Sequence, residues 1–194
     1  MTDPKQQLAA RIAALSPSQR EALLARLGEG SAKGSGLIPR RPGTGPCRLS
    51  YAQQRLWFLH QLEPESPAYN MSLTLPLAGD LNRTALERAL TTIVERHEAL
   101  RTRFPSVGGE PMQVIDVATP VPMQYVELSE GSVESRTAQA KALSTAETLR
   151  PFDLANGPVL RAMVIQIDPA SHVLVLTMHH IVSDGWSRGV FNAE

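Results

Sequence analysis

His172-Val173-Leu174-Val175-Leu176-Thr177-Met178-His179-His180-Ile181-Val182-Ser183-Asp184-Gly185 is the stretch on which the reading of this chain turns. Its first seven residues are mostly aliphatic or β-branched and predict a buried strand. Side chains alternate faces along a strand, so His179 and His180 must point in opposite directions, one into the body and one toward a cleft. Leu174, Leu176 and Met178 share the His180 face, while Val173, Val175 and Thr177 share the His179 face. Both faces read as half buried, and periodicity alone does not choose between the two rings. Ser183-Asp184-Gly185 then predicts a turn, with a helix from near Trp186. An imidazole at the mouth of such a turn is placed for general-base work, because histidine is the side chain that titrates near neutrality unaided.

Working outward, a second apolar strand is expected over residues 159–167, joined to the first by Asp168-Pro169-Ala170-Ser171. That turn is short enough for an antiparallel hairpin. Upstream, the pattern predicts a helix over 50–62, a strand over 70–77 and an amphipathic helix over 82–98 carrying Leu86, Leu90, Ile93 and Val94. Short strands follow over 112–117 and 123–128, then a helix over 133–149 ended by Pro151. The sum is a two-layer α/β domain with a mixed or largely antiparallel sheet over residues 47–194. Residues 1–28 read as two short helices, with Leu8, Ile12 and Leu15 on one stripe and Leu23, Leu24 and Leu27 on another. Residues 29–46, rich in Gly, Ser, Pro and basic residues, have the composition of a flexible linker. The N-terminal element reads as a packing helix and tether in preference to a docking segment for another subunit.

Composition narrows the function classes. The 194 residues carry 19 basic and 19 acidic side chains, so no net charge recruits nucleic acid or an acidic membrane. Cys47 is the one cysteine, which excludes an intrachain disulfide and a cysteine-based zinc site. It reads as an inert thiol. No apolar run approaches the roughly 20 residues that span a bilayer, and the N-terminus has no secretory signal, so a cytoplasmic protein is expected. No phosphate loop, dinucleotide fingerprint or metal-ligand cluster is present, so neither a bound cofactor nor a metal is expected.

Three motifs stand in order along the chain: Leu49-Ser50-Tyr51-Ala52-Gln53-Gln54-Arg55-Leu56-Trp57-Phe58-Leu59, Arg96-His97-Glu98-Ala99-Leu100-Arg101-Thr102-Arg103-Phe104, and His179 to Ser187, an HHxxxDG motif. With Phe152-Asp153-Leu154 and Gly157-Pro158-Val159-Leu160-Arg161, they resemble the condensation domains of nonribosomal peptide synthetases, which have a chloramphenicol-acetyltransferase-like fold. The resemblance covers roughly residue 47 to the end. Such domains have two lobes with the catalytic His between them, so this chain is expected to carry the first lobe, with the second lobe absent. The implied reaction is acyl transfer from one carrier-bound thioester to the amine of another carrier's aminoacyl group, forming a peptide bond. The motif wording resembles the subclass joining an L-donor to an L-acceptor. The implied partners are donor and acceptor peptidyl carrier proteins, which supply the phosphopantetheine arms, an adenylation domain, and the C-terminal lobe. Residues 1–28 are a candidate dock for an upstream subunit. Ester formation, another CoA- or carrier-dependent acyl transfer, and a non-catalytic half-domain that binds carriers or a second lobe are the alternatives.

The resemblance selects His180 as the catalytic residue, whether as base or as a positioner of the amine. His179 is expected to be hydrogen-bonded in the core. A metal held by the two His and Asp184 is disfavoured, because adjacent strand histidines diverge. Asp184 is read as a helix N-cap, as a direct proton acceptor or, by resemblance, as the ion-pair partner of Arg96 first and Arg101 next. Gly185 is either a turn glycine or a clearing for substrate. Tyr51, Arg55 and Trp186 are tunnel-lining candidates, although Trp186 and Trp57 read first as core aromatics. His60 and His97 read as solvated or capped helix residues.

Overall fold

The hairpin expected near the C-terminal end is the centre of the fold. A computed structural model describes residues 45–194, together with Arg41 and Gly43. The helices expected over residues 1–28, their docking role and most of the linker over 29–46 lie outside the described residues. In chain order the elements are β1 (Cys47–Arg48), α1 (Tyr51–Leu62), β2 (Asn70–Ala78), α2 (Arg83–Arg96), a 3-10 turn (Glu98–Arg101), β3 (Thr102–Arg103) and β4 (Ser106–Val107). They continue with β5 (Glu110–Ile115), β6 (Met123–Glu127), α3 (Val133–Leu149), β7 (Leu160–Asp168), β8 (Ser171–His179) and α4 (Gly185–Ala193).

The main sheet runs β2-β8-β7-β6. β7 and β8 pair antiparallel across the expected turn, where Asp168 Oδ1 accepts from the Ala170 N–H at 2.9 Å. β2 pairs antiparallel with β8 along its whole length, from Asn70 opposite His179 to Ala78 opposite Ser171. β6 lies parallel to β7 and needs a crossover, which α3 supplies. The sheet is therefore mixed, as the pattern predicts.

Each face of the sheet has its own helix. Leu174, Leu176 and Met178 join Leu160, Ala162 and Val164 under Leu90, Ile93 and Val94 of α2. Met163, Ile165, Ile167 and Val175 pack on the opposite face with Ala140 of α3. Both faces of the central strands are covered, which is why their sequence is a near-continuous apolar run and not a clean alternation. Filling a core position of this kind is worth about 1.5–3 kcal/mol per large aliphatic side chain.

A smaller sheet forms on β5, which pairs with β1, β3 and β4. The sequence pattern places this strand over 112–117, two residues late. Gly108 and Gly109, at φ +62° and +88°, close a hairpin between β4 and β5 that starts the strand at Glu110. α2 also stops earlier than its periodicity suggests, at Arg96, because His97 adopts extended backbone and leads into the 3-10 turn. Caps set the other helix starts. Ser50 and Gln53 form a reciprocal capping box on α1, and Asn82 accepts from the Ala85 N–H at 2.9 Å to begin α2. α1 has no buried residue; Leu56 and Trp57 lean on a cluster of Leu49, Phe104, Phe152, Leu154, Val159 and Ile181. The Trp57 indole donates to Phe104 O at 3.0 Å.

Candidate active site

β8 ends on His179, and the two histidines separate as strand geometry requires. His179 is 3% exposed and faces the sheet side occupied by α3. Its ring stands edge-on to His60 at 6.0 Å and to Phe152 at 5.9 Å, with Tyr69 at 6.3 Å. Burial, helped by the neighbouring His60 and His180 imidazoles, lowers its pKa to about 4. At neutral pH the ring is uncharged. Its Nδ1 accepts from the Ile181 N–H at 3.1 Å, which places the ring proton on Nε2.

His180 turns the other way, into solvent. Its backbone N–H donates to Tyr69 O at 2.8 Å, and the Val182 N–H returns to His179 O at 3.1 Å, closing a tight turn. The His180 Nδ1 lies 2.6 Å from Ser183 O. A carbonyl oxygen only accepts, so Nδ1 carries the proton and donates it. In the neutral ring that tautomer leaves the Nε2 lone pair free, the form a general base needs.

Asp184 caps α4. Its Oδ1 accepts from the Ser187 N–H at 2.7 Å and from the Ser187 hydroxyl at 2.8 Å, and Ser187 Oγ accepts from the Asp184 N–H at 2.7 Å. The Ser187 backbone N–H, then its hydroxyl, holds the carboxyl below the usual aspartate range. The expected ion pair with Arg96 or Arg101 does not form. Arg96 and His97 both reach Glu194, each at 3.0 Å, and Arg101 donates to Asp116 O and sits 3.7 Å from Glu98. The physical reason is local: the start of α4 presents orphan N–H groups, and Asp184 satisfies them at a spacing of three residues.

Gly185 is the first residue of α4 and has no positive φ. A Cβ built there meets nothing within 4 Å. Neither the backbone nor the packing of this structure requires glycine at this position.

Trp186 is corrected as well: it is 84% exposed and not a core aromatic. α4 docks through Phe191 onto the α2 side of the core, which turns Trp186 outward beside a shallow apolar depression with Leu100, Met178 and Val190. Tyr51, 90% exposed, and Arg55 lie on the solvent side of α1. All three tunnel candidates are thus solvent-exposed in this structure. His60 is not a plain solvated histidine; it is half-buried against His179, and burial lowers its pKa against the raising effect of Asp153 and Glu65.

Sequence reasoning missed that Gln53, Tyr69 and Phe152 contact the histidine turn. Gln53 Nε2 donates to Gln113 Oε1 at 3.2 Å and to Ile181 O at 3.4 Å, tying α1 to the histidine turn. Its place in the Ser50 capping box was a visible signal, but only of the helix start. Among the described residues no cluster of His, Cys, Asp and Glu could hold a metal, and no helix is long and apolar enough to cross a membrane.

The fold is a mixed α/β sheet covered by helices on both faces with an exposed histidine at the end of its central hairpin, and comparison with known proteins gives the family. The pattern of the Condensation domain family matches residues 45–194. The chain is 44% identical over 190 residues to phosphinothricin tripeptide synthetase PhsC of Streptomyces viridochromogenes, covering 96% of this chain and 17% of that protein. It is 42% identical over 159 residues to malpibaldin synthetase of Mortierella alpina, covering 81% of this chain and 3% of that protein. Among solved structures, the starter condensation domain of rhizomide synthetase RzmA matches with a TM-score of 0.69 at 26% identity, covering 76% of this chain and 35% of that one. The first condensation domain of the calcium-dependent antibiotic synthetase, solved with a substrate analogue, matches with a TM-score of 0.65 at 26% identity, covering 76% and 35%. The chain belongs to the condensation-domain family of nonribosomal peptide synthetases. It spans the N-terminal part of such a domain and less than a fifth of the length of these curated relatives.

Proposed function

We propose that this chain is the N-terminal lobe of a peptide-bond-forming condensation domain, with His180 as the catalytic residue. The observation that carries the reading is the His180 ring: exposed, with Nδ1–H given to Ser183 O and Nε2 open to solvent. In the reaction, the acceptor amine attacks the donor thioester carbonyl, the C–N bond forms, and the C–S bond breaks. Nε2 accepts the ammonium proton or orients the amine, and the proton ends on the departing thiol. General-base help of this kind contributes about 10²–10⁴-fold.

The other residues prepare that ring. His179 stays neutral and braces the turn, and Asp184 starts the helix that follows. Gly185 leaves open space that an incoming chain can use. Tyr51, Arg55 and Trp186 form the rim toward a second lobe and line the path to His180. Arg188 joins them: forms of the rhizomide synthetase domain were solved with substitutions at a histidine and at an arginine eight positions further on, and the same spacing separates His180 from Arg188 in this chain. One such form was solved with C8-CoA and Leu-SNAC, a thioester-type pair consistent with acyl transfer. The phosphopantetheine arms come from donor and acceptor carrier proteins, an adenylation domain loads the acceptor, both substrates are L-configured, and the protein works in the cytoplasm.

The test is condensation by the intact protein with both carriers loaded, read by mass spectrometry. His180→Ala should abolish dipeptide formation to near background. Full product from His180→Ala would refute the catalytic assignment, and product only from a hydroxyl acceptor would replace amide with ester formation.

A further inference from the structure

Arg161 lies in β7 with its side chain 10% exposed, surrounded by the core. All three nitrogens of its guanidinium donate hydrogen bonds. Nε donates to Glu147 Oε1 at 2.6 Å, Nη1 to Pro151 O at 3.0 Å, and Nη2 to Glu147 O at 3.2 Å and Arg150 O at 2.7 Å. These bonds satisfy carbonyls left open at the end of α3. The guanidinium carbon also sits 3.8 Å from the centroid of the Phe152 ring, a stacked cation–π geometry.

Phe152 links this network to the histidine turn. It is 4% exposed and meets the His179 ring at 81°. It also packs in one cluster with Ile181, whose N–H donates to His179 Nδ1. A buried ion pair is weak as a stabilising device, since well-packed apolar groups often do as well in its place. What the pair supplies here is a fixed position for one ring.

We propose that Arg161 is a positioning residue for His180: by holding Phe152 against His179 it fixes the 179–183 turn, and with it the Nδ1–H tautomer of the catalytic ring. Without the guanidinium the Phe152 ring loses the group stacked on its face, and the His179 ring is held less firmly on that side. His179 Nδ1 then leaves the Ile181 N–H, and Ser183 O shifts from His180 Nδ1. His180 is free to take its proton on Nε2, the nitrogen that must be bare to accept one. The tautomer claim stands on geometry; its effect on turnover rests on the acyl-transfer reading above.

The experiment is to record two-bond ¹H–¹⁵N correlations on the full chain labelled at histidine, at neutral pH. The wild type should show His179 protonated on Nε2 and His180 on Nδ1. In Phe152→Leu, which keeps an apolar side chain but removes the ring, and in Arg161→Met, His180 should populate both tautomers. His179→Asn, whose side-chain oxygen can accept from the Ile181 N–H, should keep His180 as in the wild type, whereas His179→Leu should not. In the intact protein, Phe152→Leu should lower kcat about tenfold with little change in KM. A wild-type spectrum with His180 protonated on Nε2 overturns the proposal without any variant. So does a folded Phe152→Leu or Arg161→Met chain in which His180 stays wholly Nδ1–H. Either result is separate from failure of the acyl-transfer reading, which shows instead as a His180→Ala protein that still condenses.

Discussion

His179 and His180 are joined by one peptide bond and live in opposite surroundings. The first is enclosed by three aromatic or imidazole rings and held neutral; the second faces water, and its ring bonds to Ser183 O. The same strand geometry that splits them also couples them, because the Ile181 N–H that fixes the buried ring belongs to the turn that aims the exposed one. The pair therefore differs in what each ring can do: the buried one is fixed among its neighbours, and the exposed one is open to an incoming group.

The comparison breaks first on activity. His180→Ala should cost about 10²–10⁴-fold in condensation rate yet leave Tm within about 2 °C, because an exposed ring adds little to the fold. A large fall in Tm would mean that His180 is structural as well. His179→Ala should do the reverse in kind, losing about 1–3 kcal/mol by leaving the Ile181 N–H without its acceptor.

A second contrast concerns the ion pairs. Glu147 and Arg161 are both buried, whereas Arg96 pairs with Glu194 with its side chain 60% exposed. Glu147→Ala strands a buried guanidinium and should cost about 3–5 kcal/mol in urea unfolding. Arg96→Ala should leave the midpoint unchanged within error. Equal effects from the two substitutions would refute the burial argument.

Acid sharpens the difference between the two histidines. His179 has a folded pKa of about 4 against an ordinary value of 6.5, so between those values the unfolded chain binds more protons than the folded one. Stability contributed by the neutral ring is full above 6.5 and falls as the pH drops toward 4. The loss across that window is about 3 kcal/mol. Unfolding free energy followed from pH 7 to 4 should decline over that window, and His179→Asn should flatten the decline. An unchanged slope in the variant would assign the acid sensitivity to other groups.

How much of this was legible in sequence depends on how local the physics is. The divergence of the two histidines follows from a period of two, and the helix starts at Ser50 and Asn82 follow from capping chemistry. Which histidine is buried did not follow, because α2 and α3 cover both faces of the hairpin and make both look apolar. Asp184 was legible as a cap through Ser187, three residues on, while its expected arginine partner required knowledge of where α2 ends. Trp186 misled for a similar reason: its residue type favours burial, but Phe191 sets the buried face of α4. The buried pair of Arg161 and Glu147 was invisible because the two residues lie on different elements, fourteen positions apart.

The smallest expected effect on stability is also the cleanest test of what the exposed side is for. Gly185 begins α4 with ordinary backbone, and an added methyl would meet no atom within 4 Å. Gly185→Ala should therefore be neutral or stabilise the fold by up to about 1 kcal/mol, since alanine loses less backbone entropy in a helix. If the space beside His180 is reserved for an incoming acyl or aminoacyl chain, the same methyl should lower condensation while Tm holds or rises. A Gly185→Ala protein with both properties intact would show the glycine to be dispensable. One that loses stability would mean that a group outside the described lobe already fills the gap. Activity falling without stability would separate the face that binds from the face that folds.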